Sequence, residues 1–575
     1  MESQDLSHHF SKAARSRVPN VMKEYYRFLR VPEMGSFAGG SPCPDYFPFD
    51  TLEFSVVHPE SLSVKTQANG STPHAQVIAN KVSIQRSVQS SHVSQQIDLD
   101  TALQYGIASG NPALYAWLHK LLRTVRHPDV PYTPGPKIII CGGSADGLSK
   151  IYDVFFDPWE EGVHKLEDRQ GLLVEEFVYP PALAQLKPKA ANIVPVKMDS
   201  EGLLVDGPGG LLDVLENWNL KKGKRPHMFY SVPTGQNPTS GVLSYQRRKQ
   251  IYEVCSKFDV LIVEDDPYWN LYYPSSTSRS AQDGEHAIDK IVSQREKTST
   301  GYKFLDELIP SFLEIDTDGR VIRIDTFSKT IAPGCRLGYI TAQPGICEQL
   351  FRVTDATTQQ PSGFVQAIIA KILSGLNSSV ENPETNGDKC QQSALWGFDG
   401  WVHWVEGLRD KYQQRMITMA TIFEQNRHII TESDTVPMFH FSWPRGGMFI
   451  WVKINIFAHS LASSIDTKRL MLALWILCTQ IPYRIIMNPG KDFAANAQIR
   501  DENAYQYLRF CFAAVDEKIL VSKSKAFTEA CKAFWKFNRK EDIDRILEEE
   551  DKLSRGSNGE VQTADDVERM VLEDW

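Results

Sequence analysis

Apolar residues along this chain follow two rhythms. Between residues 100 and 375, short apolar runs alternate with stretches whose apolar positions recur every three or four residues. The runs are Lys137–Cys141, Leu172–Val174, Ile193–Val194, His227–Val232, Val260–Val263 and Val321–Ile324. A helical pattern follows the first of them through Phe156, and another begins at Ser244, a good N-cap, with Ile251, Val254 and Cys255 on one face. Strands that are apolar throughout and separated by helices predict a mainly parallel sheet covered on both sides, an α/β fold. After residue 400 long helices take over. Gly446–Val452 and Tyr507–Phe512 then alternate apolar and polar positions, as strands of a smaller α+β domain would.

The flanks read differently. Residues 7–30 carry Phe10, Val18, Val21, Met22, Tyr25 and Leu29 among polar positions and predict an amphipathic helical arm, followed by a Gly/Pro-rich loop from Gly35 to Phe49. Residues 59–96 are polar and predict a loop or insertion; 274–312 and 377–396 predict surface insertions. From Arg539 the chain is charged, which predicts a helix fraying into disorder. The expected organisation is an N-terminal arm and loop (1–50) packed with the small domain, a large domain (51–375), a small C-terminal domain (376–538) and a tail (539–575).

Composition changes this picture little. With 575 residues, 42% hydrophobic and 23% charged, the chain is an ordinary two-domain globular protein by its numbers. A net charge of −9 with no Lys/Arg-rich run argues against nucleic-acid binding. Nine scattered cysteines without a CxxC pair predict a reducing compartment and no metal site. Neither a signal peptide nor a span of the ~20 apolar residues that a bilayer needs is visible, so no membrane partner and a cytoplasmic location are expected.

Candidate chemistry collects where strands end, the ligand-facing edge of an open parallel sheet. Gly142-Gly143-Ser144-Ala145 turns a strand into a helix whose N-terminal N–H groups favour an anion. In Pro233–Gly241, Asn237 precedes Pro238 and is held extended. Glu264-Asp265-Asp266-Pro267-Tyr268 crowds three acids at a strand end, where a cation, a proton or a ligand must offset them. Strand alternation sets Asp265 apart from Glu264 and Asp266, and an N-cap is the plain role for Asp266. In Asp325–Gly338, Lys329 lies among hydroxyls with Arg336 further on. Desolvation and a nearby cation both favour the neutral amine that builds a Schiff base. Arg509 shares a strand face with Tyr507 and Cys511, opposite Leu508, Phe510 and Phe512, and calls for an anionic partner. One molecule would occupy these loops together: pyridoxal 5′-phosphate, through its aldehyde, phosphate, ring nitrogen and phenolic oxygen.

The ordered motifs Pro233–Pro238, Glu264–Tyr268 and Ser328-Lys329 with Arg336-Leu337-Gly338 resemble the fold-type I pyridoxal-phosphate aminotransferases of class I/II. More narrowly, the chain resembles aromatic-amino-acid and kynurenine/2-aminoadipate aminotransferases, including larger fungal members, from about Phe10 to Phe534. The resemblance implies a homodimer that exchanges an amino group between an aromatic L-amino acid and a 2-oxo acid such as 2-oxoglutarate. It places the Schiff-base lysine at Lys329 and the ring-nitrogen aspartate at Asp265. The phenolic-oxygen contacts fall on Asn237 and Tyr268, and the stacking aromatic on Tyr179. Ser144, Ser328 and Arg336 match phosphate contacts, with Thr326 standing where serine is frequent; Ala145 stands where relatives commonly carry a polar residue. Tyr105 matches a tyrosine that reaches the partner subunit's phosphate. Arg509 matches the arginine for the substrate α-carboxylate, Asn237 also borders the substrate, and Gly39 belongs to the loop that closes over it. Two alternatives stay open: a C–S lyase or other eliminase using the same cofactor, and a non-catalytic aminotransferase-like regulator, although no helix-turn-helix pattern precedes residue 40.

Overall fold

The structure of the protein, a computed structural model, describes residues 1–21, 23, 25, 28, 31, 34–35, 37, 40–62, 79–90, 92–127, 130–273, 299–375, 396–430 and 435–554. The chain divides into two compact units. The first comprises Met1–Asn237, Gly241–Lys411 and Arg445–Gly447; the second comprises Pro238–Ser240, Tyr412–Pro444 and Met448–Trp575. The division falls inside one helix, Gly397–Asn426.

In the first unit, β1 (Thr51–Val57) pairs antiparallel with β2 (Ala79–Gln85). The central sheet contains β3 (Lys137–Cys141), β4 (Gly171–Glu175) and β5 (Asn192–Val196), and a small hairpin of β6 (Met198–Asp199) and β7 (Gly202–Leu203) follows in the chain. The sheet is completed by β8 (Met228–Ser231), β9 (Leu261–Asp265), β10 (Val321–Thr326) and β11 (Gly338–Ala342), in the order β3-β11-β10-β9-β8-β4-β5. Strands β5, β4, β8, β9 and β10 are mutually parallel. β11 runs antiparallel to both β10 and β3, which leaves β3 parallel to the rest. A short connection joins β10 to β11, too short for a parallel crossover, so β11 must turn back. The strands are buried, and two apolar clusters lie along one face of the sheet: Ile138, Ile140 and Tyr339 toward the β3 edge, Phe229, Ile262 and Val321 toward the β5 edge. The mainly parallel sheet expected from the apolar runs is the observed one.

Several expectations need correction. Instead of one continuous helical arm from residue 7, the described residues form a 3-10 turn, Ser7–His9, and a short helix, Lys12–Ser16, that ends in extended backbone at Arg17; Met22 and Leu29 of the expected arm lie outside the described residues. Pro19 disfavours helical backbone at Val18, and Val18, Val21 and Tyr25 are exposed. The N-terminal residues belong to the first compact unit, in which Ser11 N–H donates to Val154 O at 2.7 Å and its hydroxyl to Asp153 O at 2.9 Å. The polar stretch 59–96 contains β2, whose Val82 and Ile84 are buried at alternate positions. Within the expected insertion 274–312, Phe304, Leu305, Leu308, Ile309 and Phe312 are core residues; 274–298 lie outside the described residues. The second expected insertion lies outside them too, except Trp396, which is buried.

In the second unit, β12 (His428–Ile430) pairs with β13 (Thr435–Pro437). A four-stranded antiparallel sheet follows the order β14-β15-β17-β16, with β14 (Phe439–Phe441), β15 (Phe449–Ile454), β16 (Asn488–Pro489) and β17 (Tyr507–Cys511). Its core is aromatic: Phe510 and Phe527 ring centroids lie 4.5 Å apart and Phe423 and Phe510 5.1 Å. The charged tail forms a helix, Lys540–Ser554, with Ile543 and Ile546 buried. Residues beyond 554 lie outside the described residues. Among the described residues no helix is long and apolar enough to cross a membrane.

Candidate active site

Five loops leave the carboxyl ends of parallel strands: Gly142–Ala145 after β3, the Tyr179 segment after β4, Pro233–Asn237 after β8, Asp266–Tyr268 after β9 and Phe327–Lys329 after β10. The sheet therefore delivers Ser144, Ala145, Tyr179, Asn237, Tyr268, Thr326, Ser328 and Lys329 to one edge, with Asp265 as the last residue of β9.

Alternation along β9 sorts the three acids as expected. Asp265 accepts the Tyr230 hydroxyl at 3.0 Å through Oδ2, while Oδ1 is buried and makes no hydrogen bond of regular geometry. Burial pushes the Asp265 carboxyl up to about 6, against the Ser144 and Tyr230 hydroxyls, which favour its charged form. Glu264 and Asp266 face the other way, into a layer of guanidinium groups. Arg323 Nη1 lies 3.0 Å from Glu264 Oε1 and 3.4 Å from Asp266 Oδ2, and Arg323 Nε is 3.0 Å from Asp325 Oδ2. Arg126 reaches Asp325 at 2.9 Å and Arg248 reaches Glu264 at 3.5 Å. Three cations thus offset three carboxylates. Although burial raises it, the Asp325 carboxyl is held below its ordinary value by Arg126 and Arg323. Trp269 packs beneath, its ring 4.6 Å from the Arg126 guanidinium and 5.3 Å from that of Arg323. Asp266 is therefore no helix cap; it accepts the Thr234 hydroxyl at 3.1 Å and belongs to this layer.

The lysine loop is pinned by its hydroxyls. Thr326 Oγ1 donates to Leu337 O at 3.2 Å and accepts the Ser328 N–H at 3.1 Å, and the two hydroxyls lie 2.9 Å apart. Lys329 is half-buried beside them. Arg336 takes left-handed backbone (φ 45°) and its Nη2 donates to Gly142 O at 2.7 Å. A Cβ at Gly143, whose φ is +96°, would lie 2.8 Å from that nitrogen, so glycine leaves the guanidinium its place at the helix N-terminus. Gln236 ties the Asn237 loop to the Tyr179 loop, donating to Glu175 Oε2 at 3.1 Å and Phe177 O at 2.6 Å. Asn237 and Tyr268 are buried, whereas Tyr179 is half-buried. The Ala145 carbonyl accepts Gln185 Nε2 at 3.0 Å.

Outside this edge, Tyr105 is 59% exposed. Arg509, in the second unit, donates to Asn488 Oδ1 at 2.9 Å and stacks 4.1 Å from the Phe449 ring; Leu508, Phe510 and Phe512 are buried on the opposite face, as alternation predicts. Gly39 lies outside the described residues. Tyr230 and Arg323 went unmarked in the sequence. The signal for Arg323 was a charge inside an apolar run next to three acids; Tyr230 gave none beyond its strand.

These residues fit pyridoxal phosphate. Asp265 offers a buried carboxylate oxygen that a protonated ring nitrogen would satisfy, and the Ser144 hydroxyl is likewise buried without a regular partner. Arg336 and the amide groups from Ser144 onward make a cradle for a dianion.

Comparison with known proteins agrees. The family model "Aminotransferase class I and II" matches residues 79–521. An L-tyrosine:2-oxoglutarate aminotransferase of Serpula lacrymans is 32% identical over 465 residues, covering 79% of this chain and 76% of that one. An aromatic amino acid aminotransferase of Schizosaccharomyces pombe is 32% identical over 463 residues, covering 79% and 83%. The crystal structure of an aminotransferase from Candida albicans superposes with a TM-score of 0.73 at 26% identity, covering 93% of this chain and all of that one. The chain belongs to the class I and II aminotransferases, and it is a transaminase with pyridoxal 5′-phosphate as cofactor.

Proposed function

We propose that the protein transfers the amino group of an aromatic L-amino acid to a 2-oxo acid such as 2-oxoglutarate, as a cytoplasmic homodimer. What carries the substrate assignment is similarity over four-fifths of the chain to enzymes named for tyrosine, 2-oxoglutarate and aromatic amino acids. When bound, pyridoxal phosphate holds the substrate nitrogen covalently and draws off the electron pair left at the α-carbon.

The chain supplies the rest. Lys329 would hold the cofactor between turnovers, and during turnover its freed amine would remove the substrate's α-proton and return a proton as product forms. Asp265 sets a carboxylate against the ring nitrogen and so favours its charged form. Asn237 and Tyr268 take the phenolic oxygen, and Tyr179 covers the ring face. Ser144, Thr326, Ser328, Arg336 and the Ala145 amide take the phosphate, with Tyr105 contributed by a second subunit. Arg509 pairs with the substrate α-carboxylate, and the Gly39 loop with Asn237 excludes water around it.

Replacing Lys329 with Ala, assayed with tyrosine and 2-oxoglutarate, is expected to lower turnover by about 100-fold or more. A wild-type rate overturns the site assignment. Without the 2-oxo acid, product should stop at one equivalent per active site. Continued turnover there would mean elimination, not transfer.

A further inference from the structure

Far along the chain from the lysine loop, two imidazoles converge on one carboxylate. His8 Nε2 lies 2.6 Å from Asp259 Oδ2 and His9 Nε2 lies 3.1 Å from Asp259 Oδ1. Among the described residues these three bring their donor atoms within 4.8 Å of one another. The backbone sets the arrangement. His9 closes the 3-10 turn, its N–H donating to Leu6 O at 3.1 Å, and Ser11 fastens the segment to Val154. Asp259 sits in left-handed backbone (φ 55°) in the turn between the helix Tyr245–Lys257 and β9. The His9 side chain is 5% exposed, and its Nε2 faces the carboxylate outside hydrogen-bond geometry. A buried ring nitrogen aimed at an acceptor it does not bond regularly is a donor waiting for another partner.

Two imidazole nitrogens and a carboxylate oxygen are the donor set of a borderline divalent cation such as Zn2+, Cu2+ or Ni2+. Ligands ~2.0–2.1 Å from a tetrahedral ion stand about 3.3 Å apart, so a small rotation of the half-exposed His8 ring suffices. A groove of about 420 Å³, lined by His8, His9, Trp159, His164 and Lys224 among others, leaves the open side accessible to water. Four cations oppose a metal: Lys12, Arg15 and Lys224, which line the groove, and Arg320, whose Nη1 lies 3.8 Å from Asp259 Oδ1 although its Nε pairs more closely with Asp318, at 2.9 Å. They weaken the site without filling it. We propose that His8, His9 and Asp259 bind a borderline divalent cation, with water completing its shell. The cation clips the N-terminal segment to a turn 251 positions away in sequence, adding to the hydrogen bonds and ring contacts that already hold it. The histidine pair has no recognisable ligand spacing, which is why the sequence alone predicts no metal.

The test is calorimetric titration of chelator-treated, dialysed holoenzyme with Zn2+, together with electron paramagnetic resonance after one equivalent of Cu2+. Because truncating the buried His9 ring risks unfolding, the variants are His8→Ala and Asp259→Asn. Wild type should bind one Zn2+ per chain and show two nitrogen couplings to Cu2+. Each variant should lose Zn2+ affinity at least tenfold, and His8→Ala should lose one nitrogen coupling while transaminase turnover stays unchanged. No Zn2+ binding by wild type, or undiminished affinity in either variant, overturns the site; the second result would send the metal to the cysteines.

Discussion

Tyr230 gives Asp265 one hydrogen bond, at 3.0 Å, where burial has already pushed the carboxyl up to about 6. The sign of the pH dependence follows. The neutral form stabilises the cofactor-free fold in full below the ordinary aspartate value near 3.9, and that contribution is lost as pH rises through about 6. A protonated ring nitrogen needs the charged form, so below about 6 the cofactor must displace a proton, and its affinity should weaken as pH falls through that value. Tyr230→Phe removes a bond that favours the charge and should move the midpoint to higher pH; Asp265→Asn should flatten the profile. Titrating cofactor binding by absorbance between about pH 5 and pH 8 reads both. A midpoint that Tyr230→Phe leaves in place would refute the role given to that hydroxyl. Asp265 itself was legible in the sequence, because alternation on a buried strand separates it from two neighbouring acids. Tyr230 was not, since a tyrosine in an apolar run looks like packing until a second strand shows what its hydroxyl meets.

Elements are held at the catalytic edge by charge as well as by apolar contact. Arg323 sits in β10 against carboxylates from β9 and from its own strand, and its side chain is fully buried. Arg323→Met keeps most of the volume but leaves Glu264, Asp266 and Asp325 short of a cation, which should cost about 3–5 kcal/mol. The exposed pair Lys257–Glu216, at 2.9 Å, offers a control: Lys257→Met should change stability by only about 0–1 kcal/mol. Chemical denaturation of both variants compares them, and equal effects would contradict the buried-network account. The central strands were legible because each is a continuous apolar run. β11, Gly338–Ala342, was missed: it is short, mixed in character and antiparallel. The core residues Phe304–Phe312 were hidden by the polar sequence preceding them. β2 was hidden by lysine, serine and glutamine on its outward face, although Val82 and Ile84 already alternated.

At the scale of the whole molecule, the proposed homodimer makes a prediction that one chain cannot satisfy alone. The 65.0 kDa chain should sediment at twice that mass. If Tyr105 serves the partner's phosphate, Lys329→Ala and Tyr105→Ala chains should complement each other. A mixed dimer holds one site with both residues intact, so mixing should restore activity above that of either variant alone. No recovery, or a monomer in the centrifuge, would set the dimeric site aside. The hydrophobic rhythm changes near residue 400, but the compact units part further on, at Lys411, where nothing in the sequence marks a boundary because the division falls inside one helix, Gly397–Asn426. The first unit also takes back a fragment from late in the sequence. Arg445–Gly447 lies within it, with Tyr273 N–H donating to Arg445 O at 2.7 Å, the Tyr273 hydroxyl to Gly447 O at 2.6 Å, and Gly235 so close that a Cβ there would fall 2.3 Å from Gly447 N. During synthesis, then, the loop carrying Asn237 waits for a piece of chain made some two hundred residues later (447 − 235 = 212). A nascent chain displaying every strand of the sheet is still unfinished, and only the emergence of Gly447 lets the cofactor-facing edge close.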